Sequence, residues 1–224
     1  MVIYADGADL KSMEALTRDE RIAGWTTNPS LMKKAGIYDY PSFAFAVLKI
    51  AAGKPVSFEV FADDFKTMEK QALEIASWGQ NVYVKIPVTN TAGNPAYELI
   101  WRLSKSIKVN VTAVMTPDQA RLAIDSLRGG GIVSVFAGRI ADTGRDPARI
   151  MRSAKAKIGK SGTQLLWASA REVYNVRQAE ECGCDIITLS PELIAKLDGF
   201  DRDLAEYSLE TVRQFHRDAA GFVL

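Results

Sequence analysis

The residue with the most unusual setting in this sequence is Lys85, an amine inside the apolar run Val82-Tyr83-Val84-Lys85-Ile86-Pro87-Val88. An ammonium in such a run costs a large desolvation energy unless it is paired. Two readings follow. In the first, Lys85 forms a structural ion pair with Glu59, the carboxylate of the segment Val56–Phe61. In the second, desolvation favours the uncharged amine, which can attack a carbonyl carbon. Other polar residues sit in apolar segments with the same regularity. Asn110 and Thr112 alternate with Val109, Val111 and Ala113; Ser134 stands between Val133 and Val135; Ser169 follows Leu166-Trp167-Ala168; Asp6 ends the first apolar stretch. A lone histidine, His216, argues against His-based zinc sites and His-centred triads. A buried amine with carboxylates and hydroxyls around it fits Schiff-base aldol chemistry, with no metal and no cofactor.

These residues must be positioned by something regular, and eight short β-rich segments supply it: Val2–Ala5, Ile22–Thr26, Val56–Phe61, Val82–Pro87, Lys108–Ala113, Ile132–Phe136, Gln164–Ala168 and Asp185–Leu189. Their starts lie about 20 to 35 residues apart, the length of a βα unit. Between most of them the apolar spacing is helical, as in Phe65, Met68, Ala72, Ile75 and Ala76, or Ala120, Ala123, Ile124 and Leu127. The fold expected is α/β, a single-domain (β/α)8 barrel over residues 1–200. An open doubly wound sheet lacks its Gly-x-Gly-x-x-Gly after the first strand, and Gly129-Gly130-Gly131 precedes a strand, as a helix end and turn would. Residues 201–224 form an appendage whose helix, about Arg202–Ala219, carries Leu209, Val212, Phe215 and Ala219 on one stripe. It packs on its own barrel or on a neighbouring subunit.

Strand side chains alternate between faces. The apolar parity (Phe58, Val60, Val84, Ile86, Val109, Val111, Ala113, Val133, Val135, Leu166, Ala168) is expected to meet the outer helices. The opposite parity then brings Asp6, Glu59, Lys85, Asn110, Thr112, Ser134, Phe136 and Ser169 into the barrel, near the C-terminal mouth where sites of this fold sit. Any one of them could be structural; Asp6 before Gly7 could cap a helix or make a turn.

Composition narrows the field. Lys and Arg number 28 against 27 Asp and Glu, a net charge of +1, which leaves no electrostatic footprint for nucleic acid. No apolar run approaches the ~18–20 residues of a membrane span. The first ten residues carry Asp6 and Asp9 and lack a basic stretch, unlike a signal peptide. Cys182 and Cys184 are too close in sequence to bridge. A compact cytoplasmic protein is expected.

Five segments together resemble the transaldolase family. Gly24-Trp25-Thr26-Thr27-Asn28-Pro29-Ser30-Leu31 is similar to its Gly-x-Thr-Thr-Asn-Pro-Ser/Thr-Leu signature, and Val84-Lys85-Ile86-Pro87 to its Schiff-base lysine strand. Asn110-Val111-Thr112, Ser134-Val135-Phe136-Ala137-Gly138-Arg139 and Ala168-Ser169-Ala170-Arg171 match three more. The likeness spans residues 1 to about 200 and is to the small transaldolases, a group that also contains fructose-6-phosphate aldolases. It implies a (β/α)8 barrel assembled as a homo-oligomer, pentamer or decamer, acting on sugar phosphates. Lys85 would form the Schiff base, Asp6 would take a proton from the C4 hydroxyl, and Glu59 with Thr112 would relay protons. Thr26, Asn28, Asn110, Ser134, Phe136 and Ser169 would line the substrate site, and Arg139 and Arg171 would hold the phosphate. Glu59 and Phe136 favour the transferase over the aldolases, which carry Gln and Tyr at matching places. A silent sugar-phosphate-binding protein is the third alternative. The sequence differs from the usual pattern at Gly7, at Trp167 and along Thr89–Ser104.

Overall fold

The computed structural model describes residues 1–222. Its elements run β1 (Val2–Asp6), α1 (Leu10–Leu16), β2 (Ile22–Thr26), α2 (Pro29–Lys34), α3 (Tyr40–Ala51), β3 (Val56–Glu59), α4 (Phe65–Ser77), β4 (Val82–Pro87) and α5 (Tyr97–Leu103). They continue with β5 (Val109–Val114), α6 (Pro117–Ser126), β6 (Gly131–Val135), α7 (Ala137–Ala141), α8 (Ala148–Ile158), β7 (Thr163–Trp167), α9 (Asn175–Glu181), β8 (Ile186–Leu189), α10 (Pro191–Lys196) and α11 (Leu204–Asp218). The strands form a closed parallel barrel in sequence order, and β8 returns to β1 through Val2↔Ile186 to Ala5↔Leu189. The expected single-domain α/β barrel is what the chain adopts, and most strands fall within a residue or two of the expected bounds. The clearest difference is β3, which stops at Glu59.

Local chemistry sets where the helices begin. Asp9, Asn28, Asp39, Asp64, Thr116 and Ser190 each accept the N–H three residues on, satisfying donors that a helix start leaves bare. The core has two parts. One lies between strands and helices and contains Phe58, Val84, Ile86, Val111, Val133 and Ile187 against Val47, Met68, Ile124 and Met151. The other fills the barrel itself: Tyr4, Ile132, Leu166, Ala168 and Ile186, with Tyr83 and Phe136 packed on it. Gly24 makes room for this floor, because a Cβ there would stand 2.6 Å from the Tyr4 ring.

Two parts of the expected alternation are reversed. On β7 it is Leu166 and Ala168 that face the lumen, while Trp167 is buried among the outer apolar residues. The indole occupies the space between barrel and helices, where its bulk adds to the packing. Ser169 still reaches the mouth because its φ of 64° breaks the alternation as the chain leaves the strand. On β5 the pairing with β6 slips between Val111 and Val114 and Ala113 takes a φ of 61°. This bulge turns Ala113 toward the cavity and sends Val114 into the outer core.

The helix α11 forms where expected, yet none of its residues is buried. Leu204, Tyr207, Leu209, Val212 and Phe215 are all exposed, so it does not bury its apolar stripe on its own barrel. The last two residues of the expected appendage, Val223 and Leu224, lie outside the described residues. Among those described, no helix is long and apolar enough to cross a membrane. Cys182 and Cys184 are free and buried.

Candidate active site

A cavity of about 580 Å³ opens at the C-terminal ends of the strands, between the floor described above and solvent. Its chemistry begins with strand register. Glu59 and Lys85 are direct partners on β3 and β4, so their side chains enter the lumen side by side. Lys85 is 6% exposed; its Nζ lies 3.0 Å from Glu59 Oε2 and donates to the Thr27 carbonyl at 2.9 Å. The ion pair foreseen as one reading therefore exists, and it points into a cavity large enough for a small molecule.

Asp6 and Thr26 are likewise partners, on β1 and β2. Thr26 Oγ1 donates to Asp6 Oδ1 at 2.8 Å and lies 2.6 Å from Thr188 Oγ1. A hydroxyl has one proton, so with Thr26 donating to Asp6 it is Thr188 that donates to Thr26. Burial raises the Asp6 pKa above its ordinary value; nearby Lys85 and the Thr26 hydrogen bond oppose that rise, and Glu59 adds to it.

The remaining expected residues divide into three groups. Thr112, Ser134, Asn28, Phe136 and Ser169 line the cavity, as do Thr26 and Asp6. Thr112 Oγ1 is buried without a hydrogen-bond partner among the described residues. Asn28 also has a structural task, since its Oδ1 accepts the Leu31 N–H at 3.0 Å and caps α2. Asn110 stands apart from the lining. It is fully buried beneath it, donating to Ser57 Oγ at 3.1 Å and accepting from Ser134 Oγ at 2.7 Å. Arg139 and Arg171 line the rim. The Arg139 guanidinium lies 5.1 Å from the Phe136 ring centre, and Arg171 Nη2 is bonded to Asp142 Oδ2 at 2.5 Å.

The rim depends on one glycine. A Cβ at Gly138 would fall 1.6 Å from the Ser169 carbonyl oxygen, so β6 and β7 loops meet backbone to backbone there. Thr188 and Ser190, which complete the lining at β8, were not among the expected residues. Their alternation with Ile187 and Leu189 was the signal available. Tyr40, whose hydroxyl bonds the Glu59 backbone, and Asp142 carried no pattern of their own.

A closed parallel barrel whose mouth holds an amine paired with one carboxylate and near a second, with a pair of guanidinium groups at the rim, defines a barrel enzyme. Comparison with known proteins is more specific. Residues 3–223 match the Transaldolase/Fructose-6-phosphate aldolase family. A probable transaldolase of Dehalococcoides mccartyi is 34% identical over 200 residues, covering 88% of this chain and 90% of its own. One from Nitrosopumilus maritimus is 36% identical, covering 88% and 87%. One from Methanococcus maripaludis is 32% identical, covering 95% and 100%. The chain belongs to the transaldolase/fructose-6-phosphate aldolase family, and it is an enzyme of the aldolase and transaldolase kind. Among solved structures, an HpcH/HpaI aldolase/citrate lyase family protein from Burkholderia cenocepacia aligns with a TM-score of 0.61 at 14% identity, covering 95% of this chain and 94% of that one. A mandelate oxidase variant aligns at 0.58 and 18%, covering 98% and 74%. Those two likenesses are of fold alone.

Proposed function

We propose that this chain is a transaldolase that moves a dihydroxyacetone unit between sugar phosphates through an imine on Lys85. The observation that carries this is the amine itself, 6% exposed at the base of a polar cavity with Glu59 at 3.0 Å. The donor is a ketose phosphate, fructose 6-phosphate or sedoheptulose 7-phosphate, its phosphate held by Arg139 and Arg171 at the rim. Glu59 takes a proton from Lys85, and the free amine adds to the C2 carbonyl to give a carbinolamine. Loss of water, with Glu59 and Thr112 moving the protons, leaves the iminium. Asp6 then accepts the C4 hydroxyl proton as the C3–C4 bond breaks; the aldehyde departs and the electron pair is held as an enamine. An acceptor aldehyde, glyceraldehyde 3-phosphate or erythrose 4-phosphate, is attacked by the enamine, and Asp6 returns the proton to the new alkoxide. Hydrolysis of the iminium releases the product. A carboxyl whose pKa burial has raised suits a group that must both take and return a proton.

Phe136 supports transfer over release. It gives the mouth a ring engaged by Arg139 and no hydroxyl to hold a hydrolytic water beside the enamine. With fructose 6-phosphate alone, glyceraldehyde 3-phosphate should form slowly; erythrose 4-phosphate should speed turnover well beyond that. Borohydride added with fructose 6-phosphate should tag Lys85, located by peptide mapping. A tag elsewhere, or none, rejects the imine, and equal rates with and without acceptor make the protein an aldolase releasing free dihydroxyacetone.

The same proposal includes a homo-oligomer, a pentamer or decamer in which the exposed stripe of α11 packs on a neighbouring copy. Light scattering in solution measures this directly. We place the enzyme in the cytoplasm, where charge retains phosphorylated sugars.

A further inference from the structure

The β2–β3 ladder ends early. Its paired positions are Trp25↔Val56 and Thr26↔Ser57, with the Thr27 N–H reaching the Ser57 carbonyl at 3.2 Å, whereas β3–β4 continues to Glu59↔Lys85. Along a strand, alternate residues direct both backbone groups to the same neighbour. Ser57 faces β2, so Glu59 does too, but β2 has already turned into α2. The Glu59 N–H and C=O would be left bare beside the cavity.

One side chain occupies that place. The Tyr40 hydroxyl, from the first turn of α3, accepts the Glu59 N–H at 2.8 Å and donates to the Glu59 carbonyl at 2.9 Å. It takes the role of the missing strand residue, with both bonds on one atom. The ring behind it is held on three sides, stacked on Phe61 at 4.5 Å and edge-on to Phe58 at 6.1 Å and Trp78 at 5.2 Å. Burial pushes its phenol well above the usual value, which keeps the donated proton in place.

We propose that Tyr40 is a positioning residue for Glu59, fixing the backbone from which the carboxylate reaches Lys85. The clamp rests on the assignment of Glu59 as the group that moves protons for Lys85. Tyr40 touches neither the amine nor the cavity chemistry; it acts through the strand end. A shift of this backbone by a fraction of an ångström changes the Glu59–Lys85 contact while leaving the rim arginines where they are.

Tyr40→Phe removes the hydroxyl and keeps the ring cluster. With fructose 6-phosphate and erythrose 4-phosphate, kcat should fall about tenfold to a hundredfold while KM stays within about twofold. The limb of the kcat–pH profile that disappears in Glu59→Gln should be displaced. Combining Tyr40→Phe with Glu59→Gln should cost no more than Glu59→Gln alone, because both act on one group. Phe61→Leu, which removes the stacked ring at an exposed site, should displace the limb in the same direction by a smaller amount. If Glu59→Gln is crippled while Tyr40→Phe keeps the wild-type kcat and profile, or if the losses multiply in the double variant, the clamp is wrong and Glu59 stands. If Glu59→Gln keeps full kcat, the assignment of Glu59 falls and takes the clamp with it.

Discussion

On the β3–β4 flank of the mouth, Lys85 is 6% exposed, Glu59 is its neighbour in register and Tyr40 holds the strand end. On the β6–β7 flank, Arg139 has no carboxylate partner within ion-pair distance among the described residues. There Arg171 shares Asp142 with both side chains half exposed, and that pair holds the Asp142 carboxyl below its ordinary range. The first flank is the more buried, with the Lys85 amine held between the Glu59 carboxylate and the Thr27 carbonyl, so each proton and charge interacts strongly with its neighbours. The second is open to solvent, which screens its charges but lets a phosphate reach them. In the proposed mechanism chemistry and recognition are separated across the lumen, the first on the more buried flank and the second on the more open one.

Changes on the buried flank should therefore be the most severe. Lys85→Arg keeps the charge beside Glu59 but removes a nucleophile, and activity should drop to background while the fold survives; borohydride should then tag nothing. Detectable imine in that variant would break the assignment. Asp6→Asn, on β1 within electrostatic reach of Lys85 and Glu59, comes next, at about 10²–10⁴-fold in kcat. It carries a second signature. Because burial raises the folded-state pKa of Asp6, the native form binds that proton more tightly than the unfolded chain. The charged carboxylate thus opposes folding, a cost absent below pH 3.8 that grows as pH rises through the raised pKa. Asp6→Asn should melt about 2–4 °C higher than wild type at pH 7, with the gap closing near pH 4. An unchanged or lower melting temperature at pH 7 would show that Asp6 is a stabilising group.

Effects on the wet flank should be smaller and selective. Charge-assisted hydrogen bonds are worth about 1.5–3 kcal/mol, so Arg139→Ala should lose roughly ten- to a hundredfold in kcat/KM for phosphorylated acceptors and much less for unphosphorylated ones. Arg171→Ala should lose less, since Arg171 must exchange Asp142 for the phosphate. Equal losses for both acceptor classes would make the arginines structural and erase the contrast between the flanks.

Much of the buried flank was legible because its signal is local. A charged residue inside an apolar strand is expensive wherever it occurs, and parity alone places Lys85, Glu59 and Asp6 on one face. The same rule failed at β7 because it treats a strand as uniform to its end. It cannot foresee a left-handed residue at Ser169 or that the Trp167 indole packs outside the barrel. Tyr40 was hidden for a different reason. Its partner is the backbone of Glu59, 19 residues away, and a backbone group has the same formula in every residue. Gly138 shows the limit from the other side: the motif marks it, but only the close approach of Ser169 explains why no larger residue fits. The stripe on α11 was readable as apolar, while the absence of a cover on its own barrel depends on where the folded chain carries the helix.

The floor of Tyr4, Ile132, Leu166, Ala168 and Ile186 closes the lower end of the lumen and leaves a door at the C-terminal mouth. In the proposed transfer, the aldehyde cut from the donor and the aldehyde that replaces it must use that door and the same arginines. They cannot be aboard together in their reacting positions. The first product must leave before the second substrate binds, so double-reciprocal plots at several fixed acceptor concentrations should be parallel lines. High acceptor should compete with the donor for the empty enzyme. For that transfer, a one-ended barrel would set the order of traffic as well as the place of the chemistry.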